Sequence, residues 1–183
     1  MIACDDVDVL PAPLTAQRMV DTPLGLLLLA RTARGLAGAW FDGQRHHPPA
    51  LSVPHADDDP LFVRAIEQLH AYFDGATLPF DVPLDLRGTA FQRAVWQALL
   101  GVDRGLTCSY AEIARRVGRP VAVRAVGAAV GRNPVSIIVP CHRVIGTDGA
   151  MTGYAGGLER KVALLRLEAA DPVLAKMRRR AVH

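Results

Sequence analysis

The chain has 183 residues, half of them hydrophobic and 5% aromatic, enough for one large folded domain or two small ones. It has no apolar run of about 18 residues, which excludes a membrane-spanning helix. The net charge of +3 is unevenly split: residues 1–85 carry 5 Arg and no Lys against 12 Asp and Glu, and residues 86–183 carry 16 Lys and Arg against 6, so the basic second half suggests a polyanionic partner.

Residues 1–20 read as a polar lead with Pro11 and Pro13. Asp5, Asp6 and Asp8 stand where a secretory leader carries positive charge, so a cytoplasmic location is expected. After the Thr22-Pro23-Leu24-Gly25 turn, the apolar runs Leu26–Ala30 and Leu36–Phe41 suggest a strand pair. His46–Asp59 is a loop. Pro60–Phe73 is a helix with Phe62, Ile66, Leu69 and Phe73 on its inward face and Gly75 beyond its end. Phe80–Leu86 holds Pro83 and reads as an edge segment or linker. The domain boundary falls there, where the charge changes sign.

The second half is mainly helical. Thr89-Ala90-Phe91-Gln92 is a capping box opening a helix to Leu100, with Phe91, Val95, Trp96 and Leu99 inward. Ser109-Tyr110-Ala111-Glu112 is a second, opening Tyr110–Val117. After Gly118-Arg119-Pro120 comes a helix over Val121–Val130, closed by Gly131; helix, short turn and helix form a helix-turn-helix pattern. Val123, Val126 and Val130 make its core stripe. The other face offers Arg124, Ala125, Gly127, Ala128 and Gly131, small side chains around one long cation, which suits close approach to a groove as well as tight helix packing. Val135–Val139 reads as a strand leading to Pro140-Cys141-His142-Arg143. Gly146–Gly149 is a turn, Gly153–Gly157 a loop with exposed backbone groups, and Leu158–Ala169 a last helix with Val162, Leu165 and Leu167 apolar and Glu168 near its end. Lys176-Met177-Arg178-Arg179-Arg180 reads as a mobile basic tail.

Cys141 is the candidate nucleophile. A thiol beside an imidazole and cations favours the thiolate, the reactive form; a small buried cysteine at a strand end is the competing reading. The three cysteines, Cys4, Cys108 and Cys141, are too widely spaced for a disulfide framework or a paired metal knuckle. Cys4, His46, His47, His55 and His70 are too scattered to argue for zinc. No metal is expected.

Pro140-Cys141-His142-Arg143-Val144 resembles the active-site signature of the O6-alkylguanine-DNA alkyltransferases, the methylated-DNA–protein-cysteine methyltransferases. Arg87-Gly88-Thr89-Ala90-Phe91-Gln92, Ser109-Tyr110, Arg124-Ala125-Val126-Gly127, Asn133-Pro134 and Gly153-Tyr154-Ala155-Gly156-Gly157 follow that family's order and spacing. The close match covers about residues 86–170. The resemblance implies base flipping and single-use transfer of the alkyl group to Cys141 without a cofactor. It makes His142 the base acting through a water, Glu168 the group holding the imidazole, and Tyr110 a contact to the phosphate and the base. Arg124 would enter the minor groove, Arg132 follow the recognition helix, and Asn133 fix the turn behind the cysteine. Val144, Tyr154, Ala155 and Gly156 would read the guanine edge. Ser136 stands where some relatives have proline and Ala155 where some have serine, which leaves the accepted alkyl sizes open.

Three other readings compete. A helix-turn-helix transcription factor explains the charge but not the cysteine motif. A Cys-His hydrolase gives no reason for the basic half. A zinc base deaminase needs a second cysteine where Val144 stands. The resulting expectation is an α/β protein: a small N-terminal sheet-plus-helix domain (1–85), a mainly helical winged-helix-like domain with a helix-turn-helix (86–170), and the tail (171–183). Its partner would be duplex DNA carrying O6-alkylguanine, with O4-alkylthymine left open, bound by a monomer whose cooperativity along DNA is also open.

Overall fold

The computed structural model describes residues 12–168, so Cys4, Ala169 and the basic tail lie outside the described residues. The polar lead contains a strand, β1 (Ala16–Val20), which its composition hides. Ala16 and Val20 face the core. Gln17, between them, is buried because its amide donates to the carbonyls of Leu51 (3.2 Å) and Val53 (2.7 Å). β1 pairs antiparallel with β2 (Leu27–Thr32), and β2 pairs antiparallel with β3 (Gly35–Phe41). Leu27 to Ala30 are all buried, as an unbroken apolar run requires.

Helix α1 (Pro60–Phe73) starts where expected, with Asp59 as N-cap accepting from the Leu61 amide (2.9 Å) and proline in its first turn. Its inward face differs from the sequence reading. The buried stripe is Phe62, Ala65, Leu69 and Tyr72, while Ile66 and Phe73 are half-buried. The helix is turned so that a phenol, not Phe73, points into the molecule.

The outer edge of β3 receives two short segments instead of a strand. The Leu36 amide donates to Pro83 O and the Asp85 amide to Leu36 O, both 2.8 Å, so residues 83–85 form the expected edge segment. Farther along, the Ala39 amide donates to Pro134 O (2.9 Å) and the Ser136 amide to Ala39 O (2.8 Å). Beyond Ser136 the chain turns back, and the strand expected over Val135–Val139 does not form. Ile137 has φ 72°, a strained conformation for a β-branched residue. This run is apolar because the turn is buried.

In the second half α2 (Ala90–Leu100) carries its full capping box: Gln92 N donates to Thr89 Oγ1 at 3.2 Å and Thr89 N to Gln92 Oε1 at 2.9 Å. Thr89→Ala is expected to cost about 1 kcal/mol, read as a lower urea midpoint at unchanged slope. β4 (Cys108–Ser109) leads into α3 (Tyr110–Arg116), capped reciprocally by Ser109 and Glu112. Gly118 (φ 68°) turns the chain toward α4 (Val123–Gly131). Val126, Ala129 and Val130 bury this helix, and Trp96 Nε1 donates to Ala129 O at 2.8 Å. Val123, expected in the core stripe, is 37% exposed, because the helix begins there and its first turn faces outward. Cys141–Arg143 form a 3-10 turn, followed by β5 (Val144–Ile145), which pairs parallel with β4, and by α5 (Leu158–Leu167). The α/β architecture is as expected. Its wing is reduced to the two-residue β4–β5 ladder. Among the described residues no helix is long and apolar enough to cross a membrane.

Candidate active site

The buried turn after Asn133 presents Cys141. Asn133 is 4% exposed, and its Oδ1 accepts from the Val135 amide (3.0 Å). Its Nδ2 donates to Val139 O (2.8 Å) and to Cys141 Sγ (2.9 Å), with Val135 O at 3.3 Å. One side chain therefore closes the strained turn and touches the sulfur. Burial pushes the Cys141 thiol up to about 11, against the opposing bond from Asn133 and the charge of Lys161. The sequence pattern suggested a ready thiolate. The structure instead holds a protonated thiol, because desolvating the anion outweighs the donors around it.

His142 is fully buried and its Nε2 lies 3.0 Å from Glu168 Oε1. Burial lowers its basicity while Glu168 opposes the shift, so the ring is neutral near pH 7. The Nε2–H tautomer is fixed by the carboxylate. That leaves Nδ1 as the lone-pair nitrogen, buried and without a protein partner. Glu168, at the end of α5, also receives both arms of Arg143: Nη2 to Oε1 at 2.7 Å and Nε to Oε2 at 2.9 Å. Burial raises the carboxyl, but His142 and Arg143 outweigh it and hold Glu168 well below the usual carboxylate range.

Two further groups were not singled out by the sequence reading. Lys161 is fully buried and donates from Nζ to Val144 O (2.6 Å) and Thr152 O (2.7 Å), tying α5 to β5 and the following loop. Burial brings its ammonium down to about 8. Tyr72 donates to Glu168 Oε1 at 2.7 Å. The signal for both was available in principle: a polar residue at helical spacing from buried apolar ones.

Tyr110 opens α3 beside this cluster. Its hydroxyl faces the carbonyls of Thr152 and Gly153 at 3.3 and 3.4 Å, long for O–H···O bonds, so the group is lightly held. Burial raises its phenol above the ordinary value. Across it lies Gly127 of α4, where a Cβ would sit 3.8 Å from the ring. Arg124, Ala125 and Ala128 are exposed on the outer face of α4, Gly131 is half-exposed at its end, and Arg132 is exposed just beyond. Val144 is buried, with its carbonyl on Lys161. The Tyr154–Gly156 loop is fastened to the N-terminal half: Arg45 N donates to Ala155 O (2.9 Å), and Arg160 bonds Gly156 O (3.1 Å) and Leu24 O (2.9 Å). Gly156 must be glycine, since a Cβ there would meet the Tyr154 ring at 2.7 Å. Cys108 is buried and its thiol is pushed up to about 11 by burial. Among the described residues no three His, Cys, Asp or Glu side chains gather as metal ligands would.

Residues 90–170 match the family described as 6-O-methylguanine DNA methyltransferase, DNA binding domain, and residues 17–86 match its ribonuclease-like domain. Among curated proteins, the methylated-DNA–protein-cysteine methyltransferase of Mycobacterium bovis is 52% identical over 152 residues, covering 82% of this chain and 90% of that protein. The protein of the same name from Methanosarcina barkeri is 45% identical, covering 82% and 94%. Among solved structures, Mycobacterium tuberculosis OGT in complex with DNA superposes with a TM-score of 0.78 at 50% identity, covering 84% of this chain and 93% of that one.

Proposed function

The chain belongs to the 6-O-methylguanine DNA methyltransferase family, and from that premise we propose that it repairs DNA by direct reversal, as a single-turnover methylated-DNA–protein-cysteine S-methyltransferase. The observation that carries this reading is the relay itself. A thiol held by Asn133 stands beside an imidazole whose Nε2–H is given to Glu168 and whose Nδ1 is left unpaired.

The thiol and the imidazole are both neutral at rest, so the proton leaves sulfur in the course of attack. Through a water, Cys141 gives its proton to His142 Nδ1, and Glu168, itself held in place by Arg143, stabilises the imidazolium that forms. The S–C bond forms as the C–O6 bond breaks, and the departing guanine anion takes a proton from the Tyr110 hydroxyl, which His142 restores. In sum one methyl moves from oxygen to sulfur and one proton from sulfur to the base. The thioether ends the protein's activity, so no cofactor is needed.

Duplex DNA would lie across α4, where Ala125, Gly127, Ala128 and Gly131 let the backbone approach and Arg124 occupies the place of the flipped base, with Arg132 on the adjoining phosphates. Val144, Tyr154, Ala155 and Gly156 would read the base edge. Binding would be led by phosphate contacts and weakened by salt. The protein acts as a monomer in this reading, with residues 1–85 as a support domain and 86–170 as the DNA-binding and acceptor domain. A reducing cytoplasm suits a protein with a free nucleophilic thiol.

The test is intact-protein mass after incubation with excess duplex bearing one O6-methylguanine, beside Cys141→Ser. A single added methylene mass on Cys141, absent from the variant, is expected. No mass change with duplex binding intact would reduce the protein to a DNA binder.

A further inference from the structure

The N-terminal domain reaches into the relay at one point. Tyr72, in the last turn of α1, is 4% exposed and donates to Glu168 Oε1 at 2.7 Å. That oxygen also accepts from His142 Nε2 and Arg143 Nη2. Tyr72 is built in from every side. Its ring meets Phe73 edge-on at 5.4 Å and Phe80 at 5.6 Å. The Arg104 guanidinium lies over it at 4.8 Å and bonds Ala76 O (2.6 Å) and Leu167 O (3.2 Å), clamping the ends of α1 and α5 together around the phenol. An open groove of about 780 Å³ runs along this contact, lined among others by Phe80, Val82, Leu100 and Pro140, and both Tyr72 and Glu168 border it.

We propose that Tyr72 is a positioning residue for alkyl transfer, through which the N-terminal domain sets the basicity of His142 by taking up part of the charge of Glu168. The proposal rests on the alkyl-transfer reading above. A carboxylate oxygen that accepts three donors has less charge to offer any one of them. With the phenol bonded, Glu168 orients the imidazole yet does not hold it as imidazolium, so the base stays free to accept a proton. Among the described residues, the other charged groups acting on this pair are Arg143 from the 3-10 turn and Lys161 from α5, both of which oppose protonation of His142; Arg104 acts on Tyr72 from the loop after α2. The phenol stays neutral, since burial and the adjacent carboxylate both raise it.

Tyr72→Phe keeps the ring, its aromatic contacts and the Arg104 stack, and removes only the hydroxyl. Two quantities are read in wild type and variant: the single-turnover methyl-transfer rate from pH 4.5 to 9, and the titration of the His142 ring nitrogens by ¹⁵N NMR. In Tyr72→Phe the acid limb of the rate profile and the His142 titration are both expected to move up by roughly half a pH unit or more, with the plateau rate kept within a few-fold. A merely structural tyrosine would lower the plateau and leave the limb in place. Superimposable limbs and an unmoved His142 titration in a folded Tyr72→Phe overturn the proposal. If wild type transfers no methyl, the alkyl-transfer reading fails instead, and the NMR titration still decides whether Tyr72 tunes the imidazole.

Discussion

Glu168→Ala is expected to destabilise the fold by about 3–5 kcal/mol and to slow alkyl transfer by about 10²- to 10⁴-fold. The Glu168 side chain has no exposed surface, and it receives Arg143 twice, His142 and Tyr72. Removing it leaves a guanidinium nine-tenths buried without its anion and frees the imidazole to turn. The two losses separate in Glu168→Gln, which keeps the size and one acceptor. Its stability should recover in part, while its transfer rate stays low because a neutral amide does not stabilise imidazolium. Chemical denaturation and single-turnover transfer check the two halves.

The same residue gives stability a definite pH dependence. Glu168 titrates well below its ordinary 4.5 in the folded protein, so its contribution is fully present above that pH and is lost as pH falls through the folded value. His142 titrates below its ordinary 6.5 in the folded protein. Below that pH the unfolded chain takes up a proton that the folded protein declines, so stability again falls with acid. Urea midpoints should therefore drop in two stages, first below about pH 6.5 and then more steeply below about 4.5. In Glu168→Gln the second stage should shrink. A second stage of unchanged depth would mean that other carboxylates govern acid unfolding.

Asn133→Ala should be nearly as damaging. It strands the Val135 amide inside the protein, takes one of two donors from the Val139 carbonyl, which keeps the Cys141 amide, and removes the donor on the sulfur. The stranded amide costs about 1–3 kcal/mol and each further lost bond about 1 kcal/mol, so a total of about 3 kcal/mol is expected. The turn they close carries Ile137 at φ 72° and is held by these bonds together with the one from Val139 N to Val135 O (3.0 Å). Its relaxation would displace Cys141, and a shift of about 1 Å lowers a rate about 10²-fold. Asn133→Asp separates the effects: it still accepts from Val135 N but sets an anion against the sulfur. It should recover part of the lost stability and none of the lost rate. Recovery of the rate would mean that Asn133 acts on the thiol only through the shape of the turn.

Much of the molecule follows from local rules that a sequence displays. The capping boxes at Thr89 and Ser109 mark the starts of α2 and α3 because the reciprocal bonds join residues three apart. Asp59-Pro60 opens α1 for a similar reason, and Gly118 ends the first helix of the helix-turn-helix because its φ of 68° suits glycine. The motif around Cys141, with Asn133, Tyr110 and the Gly153–Gly157 loop, carries the resemblance to the family in residue type and spacing alone. What the chain could not display was the inward face of its helices near the site. Apolar periodicity turned α1 toward Phe73, and in α5 it picked out Val162, Leu165 and Leu167, whereas the buried stripes are Phe62–Ala65–Leu69–Tyr72 and Lys161–Leu164–Leu165. Polar side chains point inward there because partners from distant segments satisfy them: Glu168 meets Tyr72 across 96 residues, and Lys161 meets the Val144 carbonyl. The apolar run over Val135–Val139 likewise indicated burial without indicating shape, since a tight turn held by Asn133 buries the same side chains as a strand. The ionisation of the site was tertiary as well. The sequence set a cysteine beside a histidine and an arginine, but enclosure made the thiol weakly acidic and the imidazole weakly basic, because the cost of desolvating a charge depends on everything packed around it.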